Sequence, residues 1–253
     1  MTSEMISRCP KCGYAPQEPL PATAACPACG VYFFKMAQRI SKGVALGGGD
    51  TAVAGGGERF SLLQPLEKID GISFYGRCAA LALLVLWSGF LIGYDYRYAE
   101  INQSFMHDIL LPIHEAGHVL LRPLGEFMMI LGGSLFQLLL PLGIGVAFIW
   151  KYLDNFGAAM GLWWGGVSLL DLSPYIYDAL HPQMILLGGH TGEDGPHDWI
   201  YLLDTLGQLH KAQGWGTFVH ACGTLLMTAS LAWGAAVLWR QKKSLVADWA
   251  GQE

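Results

Sequence analysis

Five apolar stretches, each about as long as a helix that crosses a bilayer, constrain this chain more than any other feature. Such a helix needs roughly 20 apolar residues to cross about 30 Å of hydrocarbon. Of the 253 residues, 53% are apolar and 14% are charged, and the mean hydropathy of +0.36 is high for a soluble domain. The sequence therefore predicts an all-α polytopic membrane helix bundle with about five to six transmembrane helices. The stretches cover residues 74–94, 105–124, 127–150, 156–180 and 218–239.

Charge and aromatic content exclude two other classes of protein. The 15 Lys and Arg residues against 20 Asp and Glu residues give a net charge of −5, whereas a nucleic-acid binder needs a basic surface. The nine tryptophans and the 12% aromatic content exclude an intrinsically disordered chain. The lipid bilayer is therefore an expected partner, and nucleic acid is not.

The charges beside the apolar stretches predict the orientation of the chain. The first twenty residues lack the apolar core of a secretion signal, and Lys and Arg residues precede the first stretch and follow the last. By the positive-inside rule both termini face the cytosol, and we expect a bacterial inner membrane protein. Five crossings cannot place both termini on one side, so one stretch is re-entrant or a further crossing lies in residues 184–187 or 199–209. The basic residues are Arg59, Lys68, Arg77, Arg240, Lys242 and Lys243.

Two Cys-Pro-x-Cys-Gly sequences lie before the first apolar stretch. Cys9 and Cys12 form one pair, Cys26 and Cys29 form the other, and thirteen residues separate the inner cysteines. Each Pro starts a turn and each Gly lets backbone amides approach sulfur, so the pairs predict a closed four-thiolate site for a structural Zn²⁺. Disulfides are unlikely products in a reducing cytosol. Residues 8–34 resemble a rubredoxin-like zinc ribbon, a small module that takes most of its folding free energy from the metal.

Glycine content marks the boundary between this module and the apolar stretches. Residues 43–57 contain seven glycines and predict a flexible tether. No Gly-Lys-Ser/Thr sequence follows, so the segment is not a phosphate loop. The tether lets the ribbon reach a substrate tail or a cytosolic partner. The predicted domains are a cytosolic zinc ribbon (1–42), a tether and juxtamembrane segment (43–73), a membrane domain (74–243) and a polar tail (244–253).

The second stretch contains a His-Glu-x-Gly-His sequence at residues 114–118. Residues four apart lie one above the other on a helix, so His114 and His118 can bind one Zn²⁺. Glu115 lies beside them, where it can take a proton from a metal-bound water. Ionisable groups at bilayer depth are costly, so this helix turns its polar residues away from lipid. For His107, a polar contact within the bundle is favoured over a ligand role.

A zinc hydrolase keeps three protein ligands and one open position, and the fourth stretch offers candidates for the third ligand. Asp171 and Asp178 share a helix face, but about 10 Å separates them along the axis, so only one can join the metal. The other then orients a ligand imidazole or caps a helix broken near Pro174. The alternative interpretation places both aspartates at a helix end in the headgroup region.

The sequence of residues 114–118 and the Asp-x-x-Pro…Asp pattern of residues 171–178 together resemble the site-2-protease class of intramembrane zinc metalloproteases. The resemblance covers about residues 105–180 and implies an endopeptidase that cleaves membrane-protein or peptide substrates with metal-activated water. It implies one catalytic Zn²⁺ besides the structural one. Asp178 then matches the third ligand, and Asp171 stands where the family has Asn, which leaves the third ligand between the two.

The same resemblance gives a role to Gln137, which follows Gly133 at the spacing of the family's Gly-x-x-x-Asn sequence. The amide would steady substrate or the developing oxyanion. The alternative is a buried Gln on a helix-packing face. Two further functions also stay open for the whole chain. One is an inactive relative that acts as a membrane chaperone or adaptor, and the other is a metal- or haem-handling membrane protein.

Residues 188–199 are rich in glycine and in side chains that can bind metal. Glycine and proline predict a loop here. Asp198 is expected to cap a helix that begins at Trp199. His190 and His197 could line the entry to the zinc site, form a gate or be solvated, and the solvated state is favoured.

Overall fold

The structure is a computed structural model that describes residues 5–9, 12–16, 18–21, 23–33, 61–64, 66 and 69–250, with side chains to residue 243. The chain divides into two compact units, Met1–Arg59 and Phe60–Glu253. The predicted tether, residues 43–57, lies outside the described residues. The last helix continues to Ala250, so most of the predicted tail is helical.

The first unit contains a short hairpin and two cysteine turns. Strand β1 (Met5–Ile6) pairs antiparallel with β2 (Leu20–Pro21). In each turn the glycine N–H donates to the carbonyl of the first cysteine, from Gly13 to Cys9 at 2.9 Å and from Gly30 to Cys26 at 2.8 Å. Both glycines have φ near +70°, which favours glycine because other residues are strained there. The turns therefore bury Cys9 and Cys26 in a small core with Phe33, while Cys12 stays exposed.

The second unit consists of six helices joined by short 3-10 turns and one longer loop. No strand is present among its described residues. The mostly helical fold confirms the all-α part of the prediction. The helices are α1 (Gly71–Gly93), α2 (Phe105–Leu121), α3 (Glu126–Tyr152), α4 (Asn155–Asp178), α5 (Asp198–Thr205) and α6 (Ala212–Ala250).

Three of the described helical segments are long and apolar enough to cross a membrane, which is fewer than the five to six predicted. They are α1, α3 and the segment Leu209–Lys243, which contains most of α6. Helix α2 has only 17 residues, below the roughly 20 that span the hydrocarbon core. Helix α4 has 24 residues but carries Asp171 and several glycines and is buried along most of its length. Periodic apolar content alone does not separate such a buried helix from a lipid-facing one.

Contacts between helix ends give the directions of the helices. Arg77 of α1 pairs with Asp154, the N-cap of α4, through two hydrogen bonds of 3.0 and 2.9 Å. Helices α1 and α4 therefore begin at one end of the bundle, here called the Arg77 end. Gly216 near the start of α6 lies against Tyr177 near the end of α4, so α6 runs back to the Arg77 end. The start of α1 and the end of α6 therefore both lie at the Arg77 end of the bundle.

Helix α2 is the exception to this up-and-down order. Phe105 at its start stacks on Trp87 of α1 with ring centroids 6.3 Å apart, and Met106 belongs to the same buried cluster as Trp163. Helix α2 therefore begins beside the middle of α4 and runs to the opposite end, here called the Asp178 end. Helix α3 returns from there to the Arg77 end. Because α2 begins in the middle of the bundle, the start of α1 and the end of α6 lie at the same end, although the sequence has five long apolar stretches.

Helices α2 and α3 cross at a pair of glycines, Gly117 and Gly132. A Cβ on Gly117 would overlap the carbonyl oxygen of Gly132, and a Cβ on Gly132 would lie 3.0 Å from the carbonyl carbon of Gly117. Small residues allow two helix backbones to approach closely. This crossing brings the His114–His118 face of α2 against α3.

Candidate metal centre

Helix α2 carries His114 and His118 on one face. The Ser104 side chain caps the helix by accepting a hydrogen bond from the His107 N–H at 3.2 Å. The helix continues across Pro112 without a break. The two imidazole rings lie 4.9 Å apart between centroids in an edge-to-face arrangement. One continuous helix therefore presents both rings to the same volume.

Hydrogen bonds determine which nitrogen of each ring faces that volume. Nδ1 of His114 lies 2.9 Å from Oε1 of Gln137, and Nδ1 of His118 lies 2.9 Å from the carbonyl oxygen of Met129. Both partners are carbonyl oxygens that only accept, so each Nδ1 carries the proton. In the neutral rings each Nε2 then keeps a lone pair that can bind a metal.

Asp198 lies between the two rings and, with His114 and His118, forms what we call the metal-binding group. Its Oδ2 lies 3.0 Å from Nε2 of His114 and 3.2 Å from Nε2 of His118, and its backbone N–H donates to the Tyr175 hydroxyl at 2.9 Å. Burial raises the pKa of Asp198, but imidazoles that carry a proton on Nε2 lower it by more, to about 2. When both rings are neutral, each Nε2 carries a lone pair instead of that proton. Two lone pairs and a carboxylate oxygen this close together repel one another unless a proton or a metal ion lies between them.

The donor set and the space between the donors fit a divalent metal. Zinc binds imidazole nitrogen and carboxylate oxygen at about 2.0–2.2 Å, so tetrahedral ligands lie about 3.4 Å apart. The two separations from Asp198 are within a few tenths of an ångström of this value. A Cβ on Gly133 of α3 would overlap Nε2 of His114 and lie 2.6 Å from Nε2 of His118. The missing side chain therefore leaves the space that an ion between these nitrogens needs.

Neither aspartate predicted as the third ligand belongs to this group. Asp171 accepts hydrogen bonds at 2.8 Å from Nδ1 of His107 and from Nε2 of Gln137. Asp178 accepts from the backbone N–H groups that follow α4, Gln183 at 2.8 Å and Met184 at 3.0 Å. The described ligand atoms nearest to His114 and His118 instead come from Asp198. The helical spacing of Asp171 and Asp178 could not reveal this, because a long loop separates Asp198 from α4.

The loop before α5 also differs from prediction. His197, not Asp198, is the N-cap of α5, and its Nδ1 accepts from the Ile200 N–H at 3.3 Å. The predicted solvated state of His197 is wrong, because only 5% of this residue is exposed. His190 is half-buried and lines the same cavity as the metal-binding group. The density of metal-binding side chains in residues 188–199 was the one sequence signal for Asp198.

Gln137 lies behind His114 as its hydrogen-bond partner. The residue is 1% exposed, its carbonyl accepts from His114 and its amide N–H donates to Asp171. Gln137 therefore lies beside the metal-binding group, and both its carbonyl oxygen and one amide hydrogen form hydrogen bonds with other side chains of the protein.

A cavity of about 620 Å³ opens beside the group. Glu115 lies on its wall and is exposed, as expected for a group that meets a bound water or substrate. Leu111, Met129, Ile130 and Leu172 form part of an apolar wall. No Lys or Arg is among the described residues that line the cavity. The cavity thus combines apolar surface with carboxylates and imidazoles.

The four cysteines of the first unit form a second group that could hold a metal. Sγ of Cys9 lies 3.8 Å from Sγ of Cys29, and Sγ of Cys12 lies 3.7 Å from Sγ of Cys26. A Zn–S distance of about 2.3 Å gives tetrahedral sulfurs about 3.8 Å apart. The described thiols therefore already have the spacing of a four-thiolate zinc site.

Replacing Gly133 by Ala tests the space between the two imidazoles. The new methyl group would overlap the His114 ring and crowd His118, so we expect metal bound by the second unit to be lost while the helices still form. Metal content measured by mass spectrometry on the purified chain checks this. Gly143→Ala on the same helix is the control, since a Cβ there meets nothing within 4 Å. Equal metal content in both variants would contradict the proposed position of the ion.

Comparison with known proteins adds no further assignment, because no protein family, no curated protein and no solved structure matches this chain.

Proposed function

We propose that this chain is an intramembrane zinc-dependent endopeptidase with a second, structural zinc in its ribbon. The observation that carries the proposal is the arrangement of His114, His118 and Asp198, whose free donor atoms surround one point. Glu115 lies on the wall of the adjoining cavity. Two imidazoles and a carboxylate with one open position are the ligand set of many zinc hydrolases.

In this proposal His114, His118 and Asp198 hold the zinc. The ion would act as a Lewis acid and lower the pKa of bound water. Glu115 lies on the cavity wall and has no ion-pair partner among the described residues, so it would accept a proton from water held at the site and return that proton to the leaving amine. The Gln137 and Met129 carbonyls keep the imidazoles in the required tautomer.

The substrate is a membrane-protein segment or a peptide in this account. An intact helix hides its carbonyls in hydrogen bonds, so the substrate must be locally unwound to reach the zinc site. The apolar cavity wall, which includes Leu111, Met129 and Leu172, would take an apolar side chain next to the cleaved bond.

Charges at the ends of the bundle support one orientation of the chain in its membrane, which we propose is a bacterial inner membrane. Helix α3 and the apolar part of α6 both finish at the Arg77 end of the bundle. Several basic residues lie at this end. By the positive-inside rule this end faces the cytosol. The metal group lies near the Asp178 end, so the substrate is cleaved toward the non-cytosolic side. The basic residues are Arg77, Lys151, Arg240, Lys242 and Lys243.

The test compares membranes from cells that make the wild-type chain with membranes from cells that make a His114→Ala, His118→Ala double variant. Mass spectrometry of protein N-termini should find new termini, within or next to apolar segments of other membrane proteins, only with the wild-type chain. Their positions should lie toward the non-cytosolic side. Identical sets of N-termini would count against a protease, and cuts toward the cytosolic side would reverse the orientation.

One observation favours a second candidate, a metal-handling membrane protein. Three histidines besides the two ligands line the same cavity, namely His107, His190 and His197. Such side chains can pass a metal ion to and from the site without cutting a peptide bond. This function would leave the N-termini unchanged while the double variant changes the metal content of the cell.

A further inference from the structure

We propose that Asp171 is a positioning residue that sets the metal-binding tautomer of His114 through the side-chain amide of Gln137. This inference rests on the proposed metal centre and gives it a further part. Asp171 itself does not touch the metal-binding group in the structure; it acts through Gln137.

The side chains of His114, Gln137 and Asp171 form a continuous hydrogen-bonded chain across three helices. Nε2 of Gln137 on α3 donates to Oδ2 of Asp171 on α4 at 2.8 Å. Oε1 of Gln137 accepts from Nδ1 of His114 on α2 at 2.9 Å. The other oxygen of Asp171 lies 2.8 Å from Nδ1 of His107. The hydrogen-bonded chain therefore runs from His107 to Nδ1 of His114, the ring nitrogen that does not face Asp198.

Each link has a defined direction. An ionised carboxylate has only acceptors, so it must receive the N–H of the Gln137 amide. The amide oxygen then points to His114 and requires a proton on Nδ1. With the proton on Nδ1, Nε2 keeps its lone pair toward Asp198. A reversed amide would donate to Nδ1 and place the proton of a neutral ring on Nε2, where it would block the metal.

Because these three side chains are buried, the donor and acceptor roles in their hydrogen bonds are important. Gln137 is 1% exposed, and His114 and Asp171 are each 7% exposed. Water therefore has little access to replace a wrongly directed hydrogen bond, and an unsatisfied group here is costly. A Gln that could rotate freely would give His114 no preference between its two nitrogens.

Exchanging the amide and the carboxylate tests the proposal. In Asp171→Asn the new amide can donate to the Gln137 oxygen, which reverses the Gln137 side chain and favours the wrong tautomer of His114. Loss of a partner that orients a ligand typically costs about 10–100-fold in metal affinity. The double variant Asp171→Asn, Gln137→Glu places a carboxylate next to Nδ1 of His114 and an amide behind it. We expect this exchange to restore most of the affinity.

The measurement is a zinc competition titration of the purified full-length chain. In the proposed function the ribbon site and the site of the second unit would each bind one ion, so the titration has two components. Spectra of ¹⁵N-labelled histidine report the His114 tautomer in the metal-free protein. Asp154→Asn is the matched control, because Asp154 is a buried aspartate at the other end of α4 that pairs with Arg77. We expect this control to lower the stability of the fold and to leave zinc affinity unchanged.

The outcomes separate the inference from the proposed function. Zinc affinity unchanged in Asp171→Asn, or no recovery in the double variant, would overturn the positioning role of Asp171. Equal losses in Asp171→Asn and Asp154→Asn would reduce Asp171 to a structural residue and overturn it as well. A wild-type chain that binds zinc only in its ribbon would instead overturn the metal centre on which the inference rests.

Discussion

Replacing Asp198 by Asn is expected to lower the zinc content of the purified chain from two ions to one. The carboxylate of Asp198 approaches both Nε2 atoms within 3.2 Å, and it supplies the negative charge of the group. A neutral amide is a much weaker zinc ligand, and two imidazoles alone hold the ion poorly. The ion that remains is the one assigned to the four cysteines. Metal content measured by mass spectrometry on the detergent-solubilised chain checks the prediction.

Asp178→Asn is the matched control for this experiment. The substitution is the same, and an Asn oxygen can still accept from the Gln183 and Met184 N–H groups that Asp178 binds. We therefore expect two zinc ions in this variant. If Asp178→Asn lost the ion and Asp198→Asn kept it, the third ligand would be Asp178, as the resemblance to the site-2-protease class implies.

Glu115→Gln is expected to keep both zinc ions and to lose proteolysis. Glu115 is exposed on the cavity wall and is assigned as the general base rather than as a ligand. Loss of a general base typically slows a reaction by about 10²–10⁴-fold. The uncut membrane protein identified by its N-terminus should then accumulate in cells that make this variant. Immunoblotting of that substrate, together with zinc content, checks both parts of the prediction.

Glu126→Gln provides the comparison for Glu115→Gln. Glu126 lines the same cavity and is also exposed, but it lies in the first turn of α3. We expect near wild-type proteolysis when it is replaced. If processing continued unchanged in Glu115→Gln, the proposed mechanism would be wrong. A wild-type chain that binds zinc and membrane proteins but cuts none of them would instead fit the chaperone or adaptor alternative.

The sequence alone predicted those parts of the two metal-binding groups in which the binding residues lie a few positions apart in the chain. The two cysteine pairs predicted a four-cysteine group because each pair forms its own turn, and the structure confirms that the four thiols come together. The spacing of His114 and His118 likewise predicted two rings on one face, since one helical turn separates them. Apolar content predicted a mostly helical chain with helices that can cross a membrane.

Only the tertiary structure decided which carboxylate meets the two histidines. Asp171 and Asp178 lie on a helix that packs beside the site, yet their oxygens bind His107, Gln137 and loop amides instead. Asp198 reaches His114 because the loop after α4 folds back over the cavity, and no periodic pattern encodes the path of a loop. The number of membrane-crossing helices was undecided for a similar reason, because burial against neighbouring helices and exposure to lipid both select apolar residues. The physical difference is one of range: backbone geometry relates residues along one helix, whereas packing and hydrogen bonding relate residues on different ones.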